Sequence, residues 1–248
     1  MSRLMWITGA SSGIGRALAL RAAREGWRVV ASARSDDALQ ELEREGGGPI
    51  SVCPLDVTDV NACRTAVETI EAEHGPIDLA VLNAGTHKAT PVESFNAEEV
   101  ATLVDVNLMG IVNTIDPLLP RMIERRHGHL ALMASVAGYR GLPTASGYCA
   151  TKAGVIALAE SINAELGRYD VAVQVVCPGF VRTPLTDKNE FPMPYLMEVD
   201  DAVDRIWRGL QGSDFEIAFP RRFVWQLKTM KSLPDSLYFP LIRKATSK

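Results

Sequence analysis

The chain has 248 residues, 47% of them hydrophobic and 23% charged, with 26 Lys and Arg against 30 Asp and Glu for a net charge of −4. A chain this long buries about three quarters of the surface its unfolded form exposes, so it supports a sizeable core without disulfides or metals. The near-neutral balance gives no basic field of the kind nucleic-acid binding needs, and no strongly acidic one either.

Four widely spaced cysteines, Cys53, Cys63, Cys149 and Cys177, form no CxxC pair and no Cys/His cluster at zinc-ligand spacing. Neither a disulfide framework nor a metal site is expected, and a reducing compartment fits best. No apolar run approaches a membrane span, and the first apolar run is too short for a signal-peptide core, so a cytoplasmic protein is expected.

In chain order, apolar runs at 4–8, 28–33, 50–55, 79–83, 129–134, 171–177 and 215–219 alternate with helix-length amphipathic stretches. Short, Val- and Ile-rich runs suit strands buried on both faces, so the pattern predicts a parallel sheet with helices on each side. The first helix, 15–25, carries Ala17, Leu18 and Ala22 at helical spacing and stops at Gly26. Asp59 is placed to cap a helix ending at His74-Gly75-Pro76, and Asn96 to cap a long one running through Leu108 and beyond. Two irregular stretches stand out: residues 180–199, and the tail after Pro220.

The first strand runs into Thr8-Gly9-Ala10-Ser11-Ser12-Gly13-Ile14-Gly15 and then directly into a helix. Strand, glycine turn, helix is the context in which a glycine motif binds phosphate. The glycines let the backbone approach a pyrophosphate, and the helix end offers free N–H groups and a positive dipole. The strict GxGxxG spacing fails, because Leu18 stands at the third glycine position. The second strand ends at Ala33-Arg34, where an NAD-binding fold places an acid on the ribose 2′-hydroxyl. Arg34 instead suits a 2′-phosphate, so NADP(H) is favoured over NAD(H). The alternative is a solvated Arg34, with Asp36 or Asp37 on the ribose.

Farther along, Tyr148 and Lys152 lie four apart on a helix expected to begin near Ser146, which places phenol and ammonium on one face. A phenol with an ordinary pKa near 10 is a poor base at neutral pH, and a nearby cation favours its ionised form. Ser135 stands at the C-terminal end of the preceding strand, where open parallel sheets bind ligands.

The glycine turn, Asn83-Ala84-Gly85, Asn107, Ser135, Tyr148 with Lys152, and Pro178-Gly179-Phe180-Val181-Arg182-Thr183 come in this order. Together they resemble the short-chain dehydrogenase/reductases of about 250 residues, over the chain up to about residue 210. The resemblance implies one Rossmann-type, doubly wound α/β/α domain spanning 1–248 with a seven-stranded parallel sheet, and an NAD(P)-dependent enzyme acting on CH-OH or C=O groups. It implies that Tyr148 is the acid/base, that Ser135 polarises the substrate carbonyl, that Lys152 holds the nicotinamide ribose and lowers the Tyr148 pKa, and that Asn107 positions a relay water. Cofactor contacts are implied for Gly9, Ser11, Ser12, Gly13, Ile14 and Gly15 at the phosphates, and for Asp56 and Val57 near adenine. Further contacts fall on Asn83, Ala84 and Gly85 beside the adenosine ribose, and on Pro178, Gly179, Val181 and Thr183 along the nicotinamide. A homo-dimer or homo-tetramer built on the helices of Asn107 and Tyr148 is implied as well. Two departures are Leu82, where the family often has a second Asn, and Ser12, where many NADP-binding members carry Lys or Arg. A different class, a non-catalytic cofactor-binding sensor, has no chemical reason to keep Ser135, Tyr148, Lys152 and Asn107 together.

Phe180, Phe191, Met193, Tyr195 and Met197 fall where the family carries its substrate lid, about 180–199. With Val136, Tyr139 and Leu142 they either wall an apolar substrate pocket or simply bury the lid on the domain. His127 and His129 read as solvated turn residues, and His87 either touches substrate or lies on a loop surface. The tail, 221–248, holds seven Lys or Arg against Asp235 alone, mixed with aromatics. Such a mixture suits weak peripheral membrane contact. The alternative is packing on the domain or a neighbouring subunit, since Pro234 and Pro240 are expected to prevent one long helix.

Overall fold

Seven strands form one parallel sheet: β1 (Leu4–Thr8), β2 (Arg28–Ser32), β3 (Ile50–Val52), β4 (Leu79–Leu82), β5 (Gly128–Met133), β6 (Val171–Pro178) and β7 (Glu216–Phe219). Their order in this computed structural model, which describes residues 2–187 and 192–246, is β3-β2-β1-β4-β5-β6-β7. β1 and β4 are buried throughout, as an apolar strand covered on both faces must be.

Helices α1 (Gly13–Arg24), α2 (Asp36–Gly46) and α7 (Val199–Leu210) pack on one face, where Leu18, Leu39, Leu42 and Ile206 meet Met5, Ile7 and Val29. On the other face, α3 (Val60–His74), α5 (Gly110–Arg125) and α6 (Ser146–Leu166) bring Val67, Leu118 and Val155 against Trp6, Leu82 and Leu130. The result is the doubly wound α/β fold expected. The chain reverses its winding between β1 and β4, and this switch point opens a crevice beyond their C-terminal ends.

Local chemistry sets the boundaries. Asp59 Oδ1 accepts from the N–H groups of Asn61 and Ala62, both at 2.9 Å, and starts α3. Asn96 caps α4 (Ala97–Val104) in the same way through Glu98 and Glu99. Glu25 is the capping residue of α1, and Gly26 follows it with φ +82°, a left-handed step open to glycine. The long helix after Asn96 is not uniform: a π turn, Asp105–Met109, separates α4 from α5, and Asn107 sits inside it.

The tail departs from its expected irregularity. It forms α8 (Arg221–Ser232) and α9 (Asp235–Thr246), with Pro234 between them and Pro240 inside α9. Among the described residues no helix is long and apolar enough to cross a membrane. Residues 188–191 of the lid stretch, Phe191 among them, and Lys248 of the tail lie outside the described residues.

Candidate active site

The glycine turn is built by close backbone approach. Gly9 has φ +68° and Gly13 φ +53°. A Cβ on Gly9 would stand 2.7 Å from Ala84 Cα, and one on Gly15 would stand 2.4 Å from the Gly9 carbonyl oxygen. Asn83 Nδ2 donates to the carbonyls of Thr8 (3.0 Å) and Gly9 (3.1 Å), while Thr8 Oγ1 accepts from the N–H of Asn83 and Ala84. The end of β4 is thereby pinned to the turn after β1. Ser12 makes no side-chain cap, which leaves the leading N–H groups of α1 for an anion.

This turn forms one wall of a cleft of about 400 Å³. Gly9, Ser11, Ser12, Gly13 and Ile14 line it at the head of α1, Arg34, Asp56 and Val57 beyond β2 and β3, and Asn83, Ala84 and Gly85 after β4. Ser135, Tyr148 and Lys152 complete it with Pro178, Gly179, Val181 and Thr183. Two of the expected site residues do not line it: Gly15 is packed beneath the turn, and Asn107 lies behind the wall. Thr86, Thr102, Val106, Leu185 and Thr186 also line it and escaped the sequence reading, although Thr86 directly follows Asn-Ala-Gly and Val106 precedes Asn107.

Arg34 is exposed and makes no hydrogen bond or ion pair with another described residue. Asp36 and Asp37, the alternative ribose contacts, start α2 and do not line the cleft. The Thr58 N–H and hydroxyl both donate to Asp56 Oδ1 and, with the pull of Arg34, hold its carboxyl below the usual value.

Lys152 Nζ donates to the Met133 carbonyl at 2.8 Å and stands 5.7 Å from the centre of the Tyr148 ring. Ser135 Oγ donates to the Pro178 carbonyl at 3.3 Å and accepts from the Ala137 N–H. Asn107 Oδ1 accepts from the Thr86 N–H at 2.7 Å, and its Nδ2 donates to the Thr86 carbonyl and to Thr151 Oγ1. Asn107 therefore joins the loop after Gly85 to α6.

The Tyr148 pKa is raised, not lowered as expected. Burial pushes the phenol up to about 12, with the Ser135 hydroxyl pulling the other way. Burial also pulls Lys152 down to about 8.

His87 is not a free loop residue. Its ring meets that of Tyr148 edge to face, with centroids 4.8 Å apart, and its Nδ1 is buried without a hydrogen-bond partner among the described residues. His127 is solvated and pairs with Asp78, but His129 lies in β5, where burial lowers its pKa, so the solvated reading of His129 is corrected.

Of the two readings of the lid and the loop after Ser135, packing on the domain fits the structure better, because none of the described members lines the cleft. Val136 joins the core, Tyr139 is buried with its hydroxyl donating to Glu216, and Phe180 and Tyr195 pack against Phe223 of α8.

A switch-point cleft that joins a helix-capped glycine turn to a Tyr, Lys and Ser cluster defines a nucleotide-dependent oxidoreductase. The short chain dehydrogenase family matches residues 3–192, and the chain belongs to that family. An uncharacterized oxidoreductase of Myxococcus xanthus is 39% identical over 245 residues, covering 98% of this chain and 97% of that protein. A solved short-chain dehydrogenase of Streptomyces avermitilis superposes with a TM-score of 0.86 at 25% identity, over 100% of this chain and 98% of that one. An actinorhodin polyketide ketoreductase solved with NADPH gives 0.79 at 27% identity, over 88% and 95%.

Proposed function

We propose that the protein interconverts a carbonyl and a secondary alcohol on a small molecule, with NADP(H) preferred. The observation that carries this reading is that Tyr148, Ser135 and Lys152 line the same cleft as the glycine turn and Arg34.

The residues suit the dinucleotide. The head of α1 with Ser11, Ser12 and Gly13 takes the diphosphate, Arg34 a 2′-phosphate, and Asp56 with Val57 the adenine side. Pro178, Gly179, Val181 and Thr183 flank the nicotinamide side, and Lys152 holds its ribose. When bound, the nicotinamide supplies or accepts hydride.

The protein's own part is to handle the proton. Ser135 Oγ donates a hydrogen bond to the substrate oxygen, and Tyr148 delivers its phenolic proton to that oxygen in reduction. A phenol with a pKa of about 12 is protonated at neutral pH and is therefore ready to act as the acid. In the reverse direction the phenolate takes the proton back, with the Lys152 ammonium stabilising the negative oxygen.

Lys152 carries that charge below about pH 8 and loses it above. The rate of reduction is expected to hold a plateau through neutral pH and to fall above about pH 8. Lys152→Arg, which stays charged, should flatten the fall. A pH profile of kcat/KM with the same alkaline limb in both proteins would assign that limb to another group.

The direct test of function is NADPH consumption over ketones and aldehydes of graded size. Protein that binds NADPH but turns over none of them would refute the reading.

A further inference from the structure

The basic, aromatic tail has no part in the chemistry above, yet it folds back onto the loop that joins Ser135 to Tyr148 and onto the strip after Gly179, two segments that each run out from residues of the cleft. Arg140 lies in the loop between Ser135 and Tyr148. Its Nη1 donates to the carbonyls of Met230 (3.0 Å), Lys231 (3.0 Å) and Leu233 (2.8 Å) at the end of α8, and its Nη2 donates to Asp235 Oδ1 at 2.6 Å. A helix end leaves carbonyls unpaired and partly negative, and a planar guanidinium can satisfy several of them at once. The same guanidinium stands 3.7 Å over the Tyr238 ring of α9, whose hydroxyl donates to the Gly141 carbonyl at 2.6 Å. Next to Arg140, the Tyr139 hydroxyl donates to Glu216, and Glu216 is ion-paired with Lys228 of α8.

The other end of α8 holds the second loop. Phe223 stacks on Phe180 with centroids 5.7 Å apart and lies 5.8 Å from Tyr195, and Gln226 Nε2 donates to the Tyr195 hydroxyl. Phe223 also closes the space beside Gly179, a residue of the cleft, where a Cβ would come within 3.0 Å of its ring. Within the lid itself, backbone bonds from Arg182 to Met197 and from Met197 to Phe180 tie its two ends together.

One rigid helix therefore fixes the distance between the loop following Ser135 and the strip that begins at Gly179. We propose that α8 and α9 form a clamp that sets the substrate end of the cleft, with Arg140 and Phe223 as positioning residues that touch no reacting atom. This rests on the reductase reading and gives the tail its role within it. The clamp follows β7, at one edge of the sheet, whereas Arg34 and Asp56 follow β2 and β3 at the other. Loosening it should therefore change how substrate is held and leave the adenosine end of the cofactor site alone.

The test uses the full chain with Arg140→Gln and Phe223→Leu, and Tyr238→Phe as a milder third variant that keeps the ring and removes only the bond to Gly141. Amide hydrogen exchange reports the two loops, fluorescence titration reports NADPH, and kcat and KM are measured over cyclohexanone, acetophenone and benzophenone. Expected are faster exchange across 136–147 and 180–187, an NADPH Kd within about twofold of the parent, and a KM raised about tenfold with a smaller change in kcat. Arg140→Lys should recover only part of the loss, since an ammonium cannot serve three carbonyls and a carboxylate together. Exchange confined to the mutated loop, an unchanged KM and size ranking, or NADPH binding lost in step with KM would each overturn the clamp. If Arg140→Gln does not fold, Tyr238→Phe and Phe223→Leu decide by the same criteria. Failure of the reductase reading shows separately, as absence of ketone turnover in the parent, and the exchange measurement still judges the clamp.

Discussion

Tyr148→Phe is expected to lower turnover by about 10²- to 10⁴-fold, the range a positioned general acid contributes, while NADPH affinity stays nearly unchanged. The substitution removes one oxygen and keeps the ring, so the edge-to-face contact with His87 and the position of α6 are preserved. Ser135 remains able to polarise a carbonyl by turning its single proton from the Pro178 carbonyl to the substrate oxygen, but it cannot replace the acid, because an aliphatic hydroxyl gives up its proton far less readily than a phenol. The loss should fall on kcat and kcat/KM together, the signature of an interaction made only in the transition state. Full activity in Tyr148→Phe, against a substrate the parent turns over, would remove Tyr148 as the acid and assign the proton to another group.

The second large effect concerns the choice of cofactor. Arg34→Ala is expected to weaken NADPH binding about ten- to a hundredfold and to leave NADH nearly untouched. That range corresponds to the ~1.5–3 kcal/mol of a hydrogen bond to a charged group. Arg34 is well suited to the contact because it has no ion-pair partner among the described residues to give up. No second cation supports it in the glycine turn, where Ser12 stands. The preference should accordingly fall as salt is raised, since the group is exposed. Titrations giving equal affinities of the parent for NADPH and NADH would show that Arg34 is a solvated surface residue.

The sheet was readable because its central strands are buried on both sides and so appear as apolar runs; Leu4–Thr8 and Leu79–Leu82 are buried throughout. The glycine turn was readable because steric demands at Gly9 and Gly13 leave glycine as the residue that fits. The four-residue spacing of Tyr148 and Lys152 placed both on α6 and both on the cleft. What local pattern could not carry was contact between distant segments. The tail looked irregular because its organiser, Arg140, lies some ninety residues upstream, so nothing nearby indicates that the end of α8 is capped. Tyr139 and Phe180 looked like pocket walls because an aromatic side chain beside a site does not reveal its direction, and Glu216 and Phe223 turn them away. The rise in the Tyr148 pKa was not readable because sequence spacing puts a cation one turn away but does not show how deeply the phenol is buried. A π turn has no sequence signature of its own, so the long helix after Asn96 was read as uniform.

That π turn acts as a phase slip. Each residue of a regular helix advances the side-chain direction by about 100°. The extra residue in the widened turn takes up one such step, so the helix is re-indexed partway along its length. Before the slip, Leu103 faces Gly147 on α6; after it, Ile111, Ile115 and Leu118 face the sheet. One continuous rod thereby serves two partners lying in different directions, with Asn107 at the point of re-indexing. Removing Leu108 would restore regular winding and turn the whole of α4 relative to α5, carrying Thr102 and Val106 out of the cleft wall and misaligning the loop at Thr86.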